Sequence, residues 1–388
     1  MNPSAPQPRP PDRTDRTDRW ETLDTPALLV DLDRLEHNIG RMAGLARDAG
    51  LALRPHFKAH KSVAIARRQL DAGATGMTVA KLDEAEVLAD AGVPDVLLAY
   101  ELVTPDKIQR ALGLGRRTRL SVAVDDPLGV AALSAAASAA GVEMDVVIEI
   151  DSGLHRCGVL PVDAPALGLR IAQATGLRLA GVFTHGGHAY SAADEGELQT
   201  AAADEAGSVV DAAARLREAG VEVNAVSVGS TPTAALSAML VRRPEFAGLT
   251  ELRPGNYVFH DGIQVSLGVA TAQDCALSVA ATVISRPTAD RAVIDCGSKT
   301  LGLDRGAHAT ARLEHFGEVV GMPARLARLS EEHGVLALPP ELALAVGDRV
   351  RILPNHACTV SNLGRAFYGI RDARVVEELT IDAAGGVH

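Results

Sequence analysis

From about residue 27 the chain falls into a repeating order of apolar strand, polar turn, amphipathic helix, glycine and next strand, and that order restricts the fold more than any other feature. ALLVDL (27–32) is the first apolar run. A helix is predicted from Asp33 to about Ala49, with Leu35, Ile39, Met42 and Leu45 at helical spacing, Asp33 as its N-cap and Gly50 as its stop. Eight further strands are predicted: LALRPHF (51–57), GMTVA (76–80), DVLLAY (95–100), RLSVAV (119–124), EMDVVIEI (143–150), LRLAGVFTH (177–185), EVNAVSVG (222–229) and LTELRPG (249–255). Ala-rich helices, for example Lys81–Ala91, Pro127–Ala140 and Glu195–Ala219, separate them. Strands apolar on both faces that alternate with helices build a parallel sheet covered by those helices. Eight such units predict an α/β fold, a (β/α)8 TIM-type barrel. A doubly wound open sheet is the alternative, and the absence of an early GxGxxG counts against it.

After residue 265 the pattern changes. CALSVAATVISRP (275–287), RAVIDCGS (291–298), RVRILPNHAC (349–358) and ARVVEELTI (373–381) are strand-like and lack long helices between them. The expected organisation is a disordered tail over 1–19, a barrel over 20–265 and a mostly antiparallel C-terminal β domain over 266–388. Part of 20–32, the TPALLV segment, is able to join that β domain instead.

Composition excludes some partners. Acidic residues outnumber basic ones 49 to 38, for a net charge of −11, and nucleic acid or an anionic membrane calls for a basic surface. No apolar run reaches the roughly 20 residues of a membrane helix. Residues 2–19 are Pro-rich and charged without an apolar core, so no signal peptide is read there and a cytoplasmic address is expected. Cys157, Cys275, Cys296 and Cys358 have no CxxC spacing, and reduced thiols are expected.

Chemistry concentrates at strand ends. In RPHFKAHK (54–61), Arg54, His56, Lys58 and His60 share one face of an extended strand. A lysine buried at a barrel mouth has its ammonium destabilised and becomes a nucleophile near neutral pH; the alternative is a solvated basic rim. DSGLHRCG (151–158) offers Arg156 to a ring nitrogen or a carboxylate, and THGGHAY (184–190) offers His185, His188 and Tyr190. GSTPT (229–233) opens a helix and RPGNY (253–257) brings a glycine, and both fit the phosphate sites common after the last two barrel strands. In PNHACTVSN (354–362), His356 and Cys358 share a face if extended, and imidazole plus thiolate suits Zn²⁺ better than Mn²⁺ or Mg²⁺.

Taken in order, DTPALLVDLDRLEHNI, RPHFKAHK, AKLDEAEVLADAG, DSGLHRCGV, THGGHAY, GSTPT, ELRPGNYV, CGSK, LSEEHG and PNHAC resemble the fold-type III pyridoxal-phosphate enzymes, the alanine-racemase-like group. The resemblance covers roughly residues 24–382 and is to the D-serine dehydratase and D-threonine aldolase branch. It implies Lys58 as the Schiff-base lysine and Lys61 as a second lysine that does not bond the cofactor. It places Arg156 at the pyridine nitrogen, His185 and Tyr190 beside the cofactor, and Ser230, Thr231, Gly255, Asn256 and Tyr257 around it, chiefly at its phosphate. His356 and Cys358 match the metal pair, and His-x-Cys resembles the zinc-dependent dehydratases more than the His-x-Asp aldolases. The function implied is a pyridoxal 5'-phosphate- and metal-dependent lyase, most simply a dehydratase giving a 2-oxo acid and ammonia from a β-hydroxy D-amino acid. Retro-aldol cleavage to glycine and an aldehyde is the alternative, a non-catalytic cofactor-binding protein is the second, and a homodimer is expected.

Overall fold

The computed structural model describes residues 19–308 and 310–388, so the tail expected over 1–19 lies, apart from Arg19, outside the described residues. The first strand, β1 (Ala27–Asp31), leads into the helix Leu32–Asp48. Its N-cap is Asp31, whose carboxylate accepts Arg34 N–H at 3.1 Å, and not Asp33, which falls inside the first turn. Leu35, Ile39 and Met42 form the buried face as expected.

All eight barrel strands are present: β2 (Ala52–Leu53), β3 (Met77–Val79), β4 (Asp95–Glu101), β5 (Arg119–Val124), β6 (Met144–Ile150), β7 (Leu177–Thr184), β8 (Ala225–Val228) and β9 (Glu251–Leu252). They form one parallel sheet in the order β2-β9-β8-β7-β6-β5-β4-β3. The ends of that sheet meet. Thr75 N–H donates to Leu53 O and Thr78 N–H to Pro55 O, both at 2.8 Å, and His56 bridges Thr78 in parallel register. At the opposite end from the strand C-termini, Arg54 fastens the same seam by bonding Glu251 at 2.8 Å and Asp95 at 2.6 Å. The strands are rich in apolar residues and largely buried, as in β6 where all seven residues are buried, Asp145 and Glu149 included, which is why the alternation with helices was visible in the sequence.

The second sheet holds β10 (Leu277–Thr288), β11 (Arg291–Ile294), β12 (Gly317–Val319), β13 (Arg325–Leu329), β14 (Gly334–Ala337), β15 (Arg349–Pro354), β16 (Ala366–Arg371) and β17 (Arg374–Thr380). The twelve-residue β10 pairs with both β15 and β11, so β10-β11-β14-β13-β12-β15 closes on itself. Beyond it the sheet continues through β1 to β16 and β17. β1 lies in this sheet and not in the barrel, antiparallel to β10 and parallel to β16. The N-terminal strand therefore joins the C-terminal sheet, the option the TPALLV segment left open. Among the described residues no helix is long and apolar enough to cross a membrane.

Candidate active site

The C-terminal ends of the barrel strands and the near edge of the second sheet enclose a cavity of about 440 Å³. Lys58, Arg156, His185, Tyr190, Ser230, Thr231, Gly255, Asn256, His356 and Cys358 all line it. Residues from the barrel and from the β domain of a single chain thus share one space.

The period-two reading of RPHFKAHK holds only to His56. The chain then tightens into a 3-10 turn, Phe57–Ala59, because the His56 side chain caps it by accepting Lys58 N–H at 3.4 Å. His56 and Lys58 face the cavity, whereas Arg54 closes the seam and His60 is fully buried against Gln69 at 3.0 Å. Among the described residues the Lys58 ammonium has neither a hydrogen bond nor an ion pair. Burial pushes it below the usual lysine range; Arg156 and Arg253 add to that push, while Cys358 and Glu84 oppose it.

At the β8 and β9 ends two turns approach each other. A Cβ on Gly229 would lie 2.8 Å from Arg253 Cβ, and one on Gly255 would lie 2.9 Å from His56 Cβ. Only glycine permits that approach. The helix Thr231–Leu240 starts here, its first-turn amides uncapped by any side chain, and the Ser230 hydroxyl meets that of Thr233 at 2.8 Å. Beneath them the buried Glu205 accepts Gly186 N–H at 2.8 Å, Gly229 N–H at 3.0 Å and the Thr233 hydroxyl at 2.5 Å. An uncapped helix N-terminus with glycine-lined backbone is a phosphate cradle. Among the described residues Asn256 Oδ1, buried beside it, has no hydrogen-bond partner.

Tyr257 departs from the expectation. Its ring is buried away from the cavity and its hydroxyl accepts Gln69 Nε2 at 2.9 Å, so only its backbone N–H, bonded to Thr231 Oγ1 at 3.1 Å, faces the cradle. Arg156 is half-exposed, 3.6 Å from Glu149. The arginine held rigidly at the cavity floor is Arg253. It is buried, donates to Ser227 Oγ at 2.7 Å and to Thr184 O, and lies over the Phe183 ring at 4.8 Å. The sequence reading passed over it in favour of the glycine two residues later. Glu149, buried beside Glu101, is pushed up to about 8 by burial and by that neighbour.

His356 and Cys358 do not lie on an extended strand. β15 ends at Pro354, His356 is the extended residue before the helix Ala357–Leu363, and Cys358 is in its first turn. The bend between the two elements brings the side chains together. His356 Nδ1 lies 2.8 Å from Asp304 Oδ2, which also accepts the Thr359 hydroxyl. With Nδ1 donating, Nε2 is left with a lone pair, the arrangement by which a carboxylate orients a metal-binding imidazole. Asn256 Nδ2 lies 3.9 Å from Cys358 Sγ. The donor set of one imidazole and one thiolate fits a soft divalent cation. Asp304 left no trace in the sequence because it is 52 residues from its partner.

His185 Nδ1 donates to Gly229 O at 2.8 Å and its Nε2 lies 3.2 Å from His308 Nε2, a residue also missed, whose ring stands against Tyr190. His188 lies outside the cavity, with neither ring nitrogen partnered. Two motifs turn out to serve each other: Lys299 of CGSK bonds Glu332 at 2.7 Å and Glu331 at 3.1 Å of LSEEHG, at the surface. A separate group, Glu101, Asp125 and Cys157, brings three donor atoms within 4.8 Å of one another at the cavity rim.

Residues 30–261 match the alanine racemase N-terminal domain family, and residues 276–370 match a family described as a serine dehydratase domain. The chain is 41% identical over 356 residues to D-threo-3-hydroxyaspartate dehydratase of Delftia sp. (strain HT23), covering 87% of this chain and 91% of that one. It is 34% identical to D-threonine aldolase of Arthrobacter sp, covering 94% and 93%. The solved D-threonine aldolase of Filomicrobium marinum superposes with a TM-score of 0.87 at 35% identity, covering 96% of this chain and all of that one. Solved variants of a D-threo-3-hydroxyaspartate dehydratase replace a histidine and, two positions on, a cysteine by alanine, the latter in a metal-free form.

Proposed function

Since the chain belongs to the alanine-racemase-like family of pyridoxal-phosphate enzymes, we propose that it is a metal-dependent lyase that eliminates water from a β-hydroxy D-amino acid, the released enamine then taking up water to give a 2-oxo acid and ammonia. The observation that carries this reading is the pair His356–Cys358, oriented by Asp304, in the same cavity as the unpaired Lys58.

Lys58 would hold pyridoxal 5'-phosphate covalently. The amides of Thr231, Thr233 and Gly255 and the Ser230 hydroxyl would hold its phosphate, with Asn256 beside them. Arg156, which lines the cavity, would meet the ring nitrogen, and the buried Arg253, held by Ser227 and Thr184, is a second cation in the same space. An unprotonated ring nitrogen follows from a permanent cation there. When bound, the cofactor supplies the electron sink that lets a bond to Cα break. When bound at His356 and Cys358, Zn²⁺ supplies a Lewis acid for the β-hydroxyl; Mn²⁺ or Mg²⁺ would be held less well by a thiolate.

The chain's own residues then divide the work. Lys58, whose ammonium is disfavoured by burial, takes the α-proton, which balances the hydroxyl that leaves as water. His185, its Nδ1 fixed on Gly229 O and its charge suppressed by burial, stays neutral and packs beside the reacting group. Asp304 keeps His356 in the tautomer that a metal needs. The wall of Tyr190, His308 and Phe183 limits water at the reacting carbon. We assign the barrel to residues 20–265 apart from β1, and the metal-bearing β domain to 266–388 together with β1, in an enzyme working in the cytoplasm.

A homodimer is part of the proposal. Tyr100, Val103, Leu128, Leu160 and Val162 leave large apolar side chains exposed along the β4–β6 rim beside the cavity mouth, and a second copy seated there would cover them.

The test is product analysis of the holoenzyme with zinc on D-threo-3-hydroxyaspartate, D-serine and D-threonine, with and without chelator. A 2-oxo acid and ammonia that vanish with chelator support the reading. Glycine and an aldehyde as the main products refute it in favour of the aldolase reaction. A bound, coloured cofactor with no turnover would leave a cofactor-binding protein.

A further inference from the structure

Lys61 stands three residues after Lys58 yet does not reach the cavity. Its side chain is 7% exposed and its ammonium donates to Gly386 O at 2.8 Å. It also lies 3.2 Å from Oε1 of Glu84, whose side chain is 1% exposed. The other Glu84 oxygen accepts Ala80 N–H at 2.7 Å. Lys61 closes the turn that carries Lys58, through its N–H on Phe57 O at 2.8 Å, and adopts the left-handed φ of 53°. A non-glycine residue keeps such a backbone where its surroundings hold it there.

Those surroundings are the last residues of the chain. Ala383 N–H donates to Lys61 O at 3.1 Å, and Asp382 accepts Val63 N–H at 2.7 Å. On its other side the tail donates from Gly385 N–H to Asn362 O at 3.2 Å, in the helix that carries Cys358. One strap therefore touches both the turn that presents Lys58 and the helix that presents Cys358.

We propose that Lys61 is a positioning residue for Lys58: joined to Glu84 and Gly386, it fixes the turn that carries Lys58 and balances the buried charge of Glu84 behind it. The inference rests on Lys58 being the cofactor lysine. The groups facing Lys58 are His56 from its own segment, His185 and Arg156 and Arg253 from the barrel ends, His308 and Cys358 from the β domain, and Glu84 from the helix after β3. Glu84 is the buried carboxylate in that set with a lysine assigned to it. Remove Lys61 and the uncompensated carboxylate draws a proton toward Lys58; remove Glu84 and the uncompensated ammonium repels one.

The experiment follows the rate at which apo-protein takes up pyridoxal phosphate covalently, as growth of the Schiff-base absorbance, across pH. Reaction needs the neutral amine, so the acid limb reports proton occupancy at Lys58. Lys61→Met should move that limb to higher pH by on the order of one unit. Glu84→Gln should move it the opposite way, and the double variant should return near wild type. Shifts of equal sign, or none, overturn the proposal. If the methionine variant does not fold, Lys61→Arg decides: it keeps the cation and should hold the wild-type limb, and a displacement like that expected for Met overturns the charge assignment. A chain ending at Ala384 removes Gly386 but keeps the Glu84 pair; it should lower kcat several-fold with the limb in place, and unchanged kcat overturns the strap. Wild-type protein that never develops the absorbance refutes the cofactor reading itself, a different outcome from absorbance insensitive to Lys61 and Glu84.

Discussion

Replacing Asp304 by Ala isolates the orientation of the metal pair from the pair itself. Its Oδ2 lies 2.8 Å from His356 Nδ1, and the two side chains are 37% and 25% exposed. A hydrogen bond to a charged group contributes about 1.5–3 kcal/mol. Partial exposure of both groups places this one at the lower end, about 1.5–2 kcal/mol. At about 1.4 kcal/mol per factor of ten, zinc should bind roughly 10–30-fold more weakly, within the range typical of a lost second-layer carboxylate. Asp304→Asn keeps an acceptor and loses the charge, so about threefold is expected. The assay is competition for Zn²⁺ between metal-free protein and a chromophoric chelator, repeated for His356→Ala as the full loss. Wild-type affinity in Asp304→Ala, with affinity abolished in His356→Ala, would show that something other than this carboxylate sets the imidazole. Zinc affinity untouched in both would remove His356 from the ligand set.

Gly255→Ala should weaken pyridoxal-phosphate binding at least tenfold and destabilise the apo-protein by about 1–3 kcal/mol, because the new methyl meets His56 Cβ at 2.9 Å and His56 O at 3.1 Å; cofactor titration and urea melts check both. Glu149 carries a pH signature: its carboxyl rises to about 8 in the folded chain from a usual 4.5. The native state then binds the extra proton, so apo-protein stability should fall by a few kcal/mol between about pH 4.5 and 8 and level off above. Glu149→Gln should flatten that slope in urea melts at several pH values, and an unchanged slope would place the proton elsewhere. Cys358→Asp hardens the metal site; zinc affinity should drop, Mn²⁺ should gain on it, and product should move from 2-oxo acid toward glycine, as read by chromatography of a D-threonine reaction.

What the sequence disclosed follows from where its information is local. The eight β/α units were legible because the strands are short runs rich in apolar residues and the helices repeat their own stripe, as in Leu35, Ile39 and Met42. Lys58 was legible because it sits in a short, dense motif. The turn at Phe57–Ala59 was not, since nothing in RPHFKAHK announces that His56 will cap it and turn His60 inward. Arg253, Glu205 and Asp304 were missed for another reason. Each acts on a partner at least 24 residues away, Arg253 on Ser227 and Thr184, Glu205 on Gly229 and Thr233, Asp304 on His356. Such supports are fixed by topology, which a linear pattern does not carry. Tyr257 shows the converse error: a residue adjacent to the cradle in sequence can contribute its backbone alone and spend its ring on packing.

The position of β1 between β10 and β16 has a consequence for how the molecule is made. Leu29 pairs with Tyr368, so this strand leaves the ribosome about 340 residues before its last neighbour. At ~5–20 residues per second that interval is roughly 17–70 s. Throughout it the ALLVD segment has an open hydrogen-bonding edge and unburied leucines, an invitation to stray pairing with a sister chain. Newly synthesised copies released before residue 366 should therefore be the aggregation-prone species, and trigger-factor-like holding of the nascent N-terminus should matter more to yield than the stability of the finished fold.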